Sequence, residues 1–183
     1  MVKSTDPARQ QQALAYIQHQ AARGLAELAA LMERTGADCG RCLEGVSEAQ
    51  ASFRPALSGA EGYGEEWSMK EVVGHMLVAS LSINREIANL VEGRPVSQPG
   101  RVGLTAGGDR PIEELRLALA DLWAETGRLV ASLPEDGNLE RTWDHPWFGP
   151  LNFKEWIAFQ RLHAMDHVQQ MERLREHPDY PEA

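Results

Sequence analysis

Apolar side chains recur every three to four residues along most of the chain, which is the spacing of one buried helix face. In the first helical region Asp6 can cap the helix and Pro7 can occupy its first turn, and we expect Gly24 and Gly36 to bend or break it. The helical regions predicted from this spacing cover about residues 6–45, 68–92, 111–133 and 152–176. The pattern therefore predicts an all-α protein.

Two of these helices have well-specified starts. Ser68 and Glu71 form an S-x-x-E capping box, in which each side chain satisfies a free backbone N–H of the other residue. Asn152 and Glu155 have the same spacing before the last helix. We therefore expect the second and fourth helices to begin at these residues.

The lengths of the connections indicate how the helices are arranged. Residues 47–66 are polar and contain Arg54-Pro55, which is typical of a connector, and residues 93–109 are rich in Gly and Pro. A link of some seventeen residues is longer than antiparallel neighbours need, but it can retrace the length of a helix of about 35 Å. We therefore predict a four-helix bundle with up-down-down-up topology and a long crossover between helices two and three.

Composition limits the class of protein. A chain of 183 residues fits one domain with its own core. The net charge of -9 and the lack of a Lys/Arg cluster argue against a nucleic-acid partner. The apolar runs are too short to span a bilayer, and the first residues lack the apolar core of a secretory signal. The expected location is the cytoplasm, without a membrane partner.

Cys39 and Cys42 have the C-x-x-C spacing of redox motifs. In redox proteins this motif follows a strand, and no strand pattern precedes it here. Both cysteines instead continue the apolar spacing of the first helical region. We favour two small buried residues over a redox or metal role.

The candidate chemistry lies in three histidines. His163 and His167 are one turn apart on the predicted last helix, where residues at i and i+4 share a face with about 6 Å between them. His75 comes from the second helix, and antiparallel packing of these two helices would bring it to the same height. Three imidazoles leave a coordination position free, which is typical of catalytic metal sites. A core histidine at His75 is the alternative.

The residues around these histidines resemble the DinB/YfiT-like superfamily. The second helix contains Trp67-Ser68, Glu71 and His75, and the last helix contains His163-x-x-x-His167-x-x-Gln170. The resemblance covers about residues 25–176. It divides the chain into an N-terminal helical extension, residues 1–24, and a metal-binding bundle domain, residues 25–183.

The resemblance implies a divalent metal, commonly zinc or nickel, held by His75, His163 and His167. Characterised relatives include transferases and an isomerase that use a low-molecular-weight thiol such as mycothiol or bacillithiol, and relatives often form homodimers. We therefore expect a small-molecule substrate. Our leading hypothesis is transfer of a small thiol to an electrophile through a metal-bound thiolate.

Two other functions stay open, namely metal-dependent hydrolysis and a non-catalytic metal-binding or dimerising bundle in stress response. Thiol transfer calls for polar or cationic groups near the site, and Arg85 and Arg161 are the nearest helical arginines in sequence. The aromatic segment from Trp143 to Pro150, which includes His145, either walls a pocket over the metal or fills the end of the bundle. Glu71 is expected to cap its helix, with orientation of His75 as the alternative.

Overall fold

The computed structural model describes residues 6–56, 66–97 and 108–182, and this part of the chain is mostly helical. The predicted connector and the predicted long loop lie partly outside the described residues. The elements, in chain order, are α1 (Pro7–Ala21), α2 (Leu25–Leu43), α3 (Glu48–Ser52), α4 (Met69–Glu92), α5 (Ile112–Ser132), β1 (Trp143–His145), β2 (Gly149–Leu151) and α6 (Phe153–Arg175). The all-α prediction is therefore confirmed apart from one small hairpin.

Both predicted capping boxes are present. The Ser68 hydroxyl accepts the backbone N–H of Glu71, and the Glu71 carboxylate accepts the backbone N–H of Ser68 at 3.0 Å. Asn152 and Glu155 exchange the same pair of hydrogen bonds at 3.0 and 2.9 Å. These bonds satisfy backbone N–H groups that have no acceptor within the helix. The starts of α4 and α6 are therefore set by their capping residues.

The first helical region divides at one of the two expected glycines. The chain leaves α1 at Ala21, and Gly24 is the N-cap residue of α2. Gly36, by contrast, lies within the unbroken α2, so the expected bend there is wrong. A Cβ atom at Gly36 would lie 2.6 Å from Cβ of Trp123 on α5. The glycine is needed for close approach of two helices and not for a change of direction.

Two short elements were not predicted. The connector after α2 contains α3, which is capped by Ser47 and Gln50 in a third capping box. The aromatic segment before α6 forms the antiparallel hairpin of β1 and β2, in which Trp143 pairs with Leu151 and His145 with Gly149. Strands of three residues are too short to show an alternating pattern in a sequence.

The core lies between α2, α4, α5 and α6, where α2 and α4 each contact both α5 and α6. A polar chain crosses this core. Gln160 on α6 donates to Asn84 on α4 at 3.2 Å, and Asn84 donates to Thr126 on α5 at 2.8 Å. Buried polar groups are tolerated only with such partners, so this chain favours one alignment of the three helices.

Contacts between helix pairs show a consistent order. Along α4 from His75 to Asn84, the contacted residues of α6 run backwards from His163 to Gln160. Along α4 and α5 the order is the same in both helices, since Glu48 binds the first turn of each and Asn84 meets Thr126 further on. His75 is thereby held opposite the middle of α6.

The hairpin is fastened to both α4 and α6. The buried Glu86 carboxylate accepts hydrogen bonds from the backbone N–H and the hydroxyl of Ser97, at 3.2 and 2.7 Å. The carbonyl of Ser97 accepts the indole N–H of Trp143, and the carbonyl of Trp143 accepts the indole N–H of Trp156. The strand β1 therefore has a fixed position beside α6.

Among the helices of the described residues, none is long and apolar enough to cross a membrane.

The Gly36 contact predicts opposite effects for two identical substitutions in α2. We expect Gly36→Ala to lower the free energy of unfolding by about 1–3 kcal/mol, because the added methyl group overpacks the contact with Trp123. The control is Gly40→Ala, where a Cβ meets nothing within 4 Å. That variant should gain up to about 1 kcal/mol from helix propensity. Urea unfolding of both variants measures this, and equal gains in the two would contradict the packing argument.

Candidate metal centre

The three predicted histidines converge. The Nε2 atom of His163 lies 3.2 Å from Nε2 of His75 and 3.1 Å from Nε2 of His167. The ligand nitrogens of all three lie within 4.8 Å of one another. For comparison, neighbouring nitrogens in a tetrahedral zinc site with Zn–N bonds of about 2.0–2.1 Å are about 3.3–3.4 Å apart. The donor set therefore fits a transition-metal ion.

The helices account for this convergence. His163 and His167 are one turn apart on α6, so their side chains share a face. His75 arises two turns into α4, which packs against that face. His75 and His167 are buried, whereas His163 is partly exposed. The cluster is thus anchored in the core, with His163 as its most exposed member.

Burial favours the neutral form of two of these imidazoles. It lowers the pKa of His163 well below the usual range, and the neighbouring rings of His167 and His75 lower it further. Burial and the ring of His75 likewise lower the pKa of His167 to about 3. Three cationic rings at this spacing would repel one another in a poorly solvated site. The neutral form is also the form that binds metal ions.

Gln170 orients one of the rings. Its carboxamide oxygen lies 2.9 Å from Nδ1 of His167 and accepts the N–H of that nitrogen. With the proton on Nδ1, the lone pair of Nε2 faces the other two histidines. Outer partners of this kind are typical of histidine ligands in metal sites, where they fix the tautomer and the ring orientation.

Aromatic rings enclose the cluster from two sides. The buried Trp67 lies 5.1 Å from the His75 ring and stacks at 6.4 Å on the His167 ring. Phe159 stacks on His163 with 5.7 Å between ring centroids. The sequence pointed to Trp67 only as part of a helix start and did not single out Phe159. The signal for Phe159 was its position one turn before His163.

The segment from Trp143 to Pro150 contacts this aromatic wall. His145 lies 4.4 Å from Phe159 and 4.6 Å from Phe148, measured between ring centroids. Trp143 and Trp156 stack behind them at 4.2 Å. The hairpin therefore packs beside the histidine cluster through Phe159, and it also fills apolar space in the core.

Glu71 caps α4, as predicted. One carboxylate oxygen accepts the N–H and the hydroxyl of Ser68, and the other accepts a hydrogen bond from Arg54. Both oxygens are thus engaged in interactions other than one with the ring of His75. The cap and the ion pair with Arg54 together account for both carboxylate oxygens.

The two candidate arginines bind elsewhere. Arg161 donates to the hydroxyl of Thr35 on α2 at 2.7 Å, and Arg85 donates to Glu86. These contacts direct both guanidinium groups to partners outside the histidine cluster.

Cys39 and Cys42 are free and buried in α2. Burial is the main cause that raises the pKa of both thiols, for Cys39 to about 12. A raised pKa keeps a thiol protonated and therefore unreactive at neutral pH. The interpretation of these cysteines as small core residues agrees with this environment.

Comparison with known proteins gives the family. Residues 31–171 match the model of the DinB superfamily. A relative, the uncharacterized protein YuaE of Bacillus subtilis, is 23% identical over 151 residues, which cover 73% of this chain and 88% of that protein. The matched region contains all three converging histidines and omits α1. The chain therefore belongs to the DinB superfamily.

Proposed function

We propose that the protein is a divalent-metal-dependent enzyme that transfers a small thiol to an electrophilic substrate, with His75, His163 and His167 as the metal ligands. The convergence of three Nε2 atoms at 3.1 and 3.2 Å is the observation that carries this proposal. Among the described residues the cluster contains three ligating side chains and no fourth. That favours a site with a free coordination position over a closed structural one.

The proposed architecture is the up-down-down-up four-helix bundle of α2, α4, α5 and α6. The contact order supports it, since Thr35 meets Arg161 and Cys42 meets Arg175 in the same order along α2 and α6. The order is reversed between α2 and α5, where Gly36 faces Trp123 and Ala29 faces Gly127. Residues 1–24 would then be an extension, consistent with a family match that begins after α1, and residues 25–183 the domain.

When bound, a divalent ion such as zinc or nickel would act as a Lewis acid and favour the deprotonated form of a thiol or a water molecule. The chain's own residues prepare the site for it. Gln170 fixes the tautomer of His167, while burial lowers the pKa of His163 and His167 and so favours their neutral forms. Trp67 and Phe159 exclude water from two sides and so strengthen electrostatic interactions within the site. The partly exposed His163 marks the side from which a small substrate would enter.

Metal content tests the ligand set. We expect the purified protein to contain close to one divalent ion per chain and His163→Ala to lose most of it, because two nitrogens hold an ion less firmly than three. His19→Ala is the matched control, since His19 is exposed on α1. Elemental analysis of the three proteins gives the result. Full metal content in His163→Ala, with the fold intact by circular dichroism, would remove the proposed site.

The orienting role of Gln170 predicts a smaller effect. Gln170→Leu removes the acceptor for Nδ1 of His167, and we expect metal affinity to fall by about 10–100-fold. Gln170→Glu keeps an acceptor oxygen and should retain the affinity. Competition with a chromogenic chelator measures both variants. Wild-type affinity in Gln170→Leu would show that the bond to His167 does not affect the metal.

Activity distinguishes thiol transfer from hydrolysis. A panel of electrophiles is incubated with the metal-loaded protein, with and without several low-molecular-weight thiols. We expect consumption of an electrophile to require both the metal and a thiol, and to fall to the background rate in His163→Ala. Consumption that is independent of added thiol would favour the hydrolase. Metal binding without turnover of any compound would favour a non-catalytic bundle.

A further inference from the structure

His145 is a buried histidine beside the metal centre that the ligand set does not use. It ends β1, and its side chain is 7% exposed. Its ring is surrounded by Phe148, Phe159 and Trp156 at centroid distances of 4.6, 4.4 and 5.4 Å. Apolar rings alone would be satisfied by a phenylalanine at this position, so the two nitrogens need an explanation of their own.

One nitrogen has a structural role that fixes the state of the other. Nδ1 of His145 accepts the backbone N–H groups of Trp147 and Phe148, at 3.1 and 3.3 Å. A nitrogen that accepts two N–H groups cannot carry a proton, so the single proton of the neutral ring is on Nε2. Burial lowers the pKa of this imidazole to about 4, in agreement with a neutral ring. Near neutral pH, Nε2–H is therefore a permanent hydrogen-bond donor.

That donor is available to a ligand. No acceptor among the described residues takes the Nε2–H of His145, since both hydrogen bonds of the ring are to Nδ1. This Nε2 atom is not one of the fully buried polar atoms that lack a hydrogen-bond partner. The nitrogen therefore has access to solvent while most of the ring is buried. A donor in such a poorly hydrated position gains more from a hydrogen bond than an exposed one does.

Phe159 places this donor close to the metal centre. Its ring centroid lies 4.4 Å from that of His145 and 5.7 Å from that of His163, on which it stacks. The rings of His145 and His163 therefore cannot be farther apart than these two separations combined. A small metabolite bound at the histidine cluster can span that distance.

We propose that the Nε2–H of His145 donates a hydrogen bond to a carboxylate or carbonyl oxygen of the small molecule bound at the histidine cluster, and so selects ligands with an acceptor oxygen a few bonds from the reacting atom. This inference rests on the proposed metal site. The guanidinium groups of Arg85 and Arg161 bind elsewhere, so His145 is the donor that the described structure offers next to Phe159. The role is one of specificity.

The competing explanation is that His145 only shapes the hairpin turn. Two variants separate the explanations. The side-chain oxygen of His145→Asn can still accept the two turn amides, as Asn does in many turns, but no donor remains at the position of Nε2. The side-chain amide of His145→Gln reaches the position of Nε2 and restores a donor while losing the turn contacts. A structural role predicts loss of stability in the Gln variant, and a ligand role predicts loss of selectivity in the Asn variant.

The experiment uses the full chain loaded with Co²⁺ and two thiols of similar size, 3-mercaptopropionate and 1-propanethiol. Binding is followed by the thiolate-to-cobalt absorption band. We expect wild type to bind the carboxylate-bearing thiol more tightly, and His145→Asn to lose about 10-fold of that preference, the size of one hydrogen bond to a charged group. Affinity for 1-propanethiol should not change in this variant, and its melting temperature should fall only by the cost of the smaller buried side chain. His145→Gln should recover part of the preference.

The failures are distinguishable. An unchanged preference in a folded, cobalt-loaded His145→Asn would overturn the role of His145 and leave the metal site intact. If that variant does not fold, an equal preference in wild type and His145→Phe, which keeps only the ring packing, overturns the proposal in the same way. Failure of the wild type to bind Co²⁺ at the histidines would overturn the proposed function, and this inference with it.

Discussion

Packing of α4 against α6 is the interaction on which the rest of the structure depends. It places His75 opposite His163, and about two and a half turns further along α4 it places Asn84 opposite Gln160. The second pair is as informative as the first. If the helices slid past each other, these two buried amides would lose their hydrogen bonds in a place that water does not reach. A shift of α6 by one turn would separate both pairs. The polar chain from Gln160 through Asn84 to Thr126 thus fixes the height at which the three imidazoles meet.

The same packing sets the electrostatic character of the site. The three rings lie between Trp67 and Phe159, and burial lowers the pKa of His163 and His167. Neutral rings at this spacing lose favourable hydration and gain little from contact with each other. A cation bound to their nitrogens would therefore lower the free energy of the cluster. Part of the donor set is therefore held ready by burial, and an ion would not need to drive the histidines together.

The hairpin is connected to the same two helices by hydrogen bonds. Glu86 accepts a hydrogen bond from Ser97, the Ser97 carbonyl accepts the indole N–H of Trp143, and the Trp143 carbonyl accepts the indole N–H of Trp156. These bonds connect β1 to both α4 and α6. His145 stands at the end of that strand with one nitrogen committed to the turn and the other free of partners among the described residues. The ring of Phe159 contacts both this histidine and His163 of the converging cluster. Such a layout is suited to discriminating ligands, because a donor on a fixed element loses little freedom on binding.

Local chemistry in the sequence determined the helices, the starts of α4 and α6, and the shared face of His163 and His167, because capping bonds and helical spacing involve residues no more than a few positions apart. The meeting of His75 with that pair followed from helix positions only under antiparallel packing of the two helices, and the family resemblance favoured it over a core role for His75. The role of Gly36 could not, since only the approach of Trp123 from α5 distinguishes a packing glycine from a helix breaker. Nor could the hairpin or the contacts of His145 and Phe159, which depend on where residues distant in the chain come to lie. Tertiary structure decided these features because their energies arise between elements and not within them.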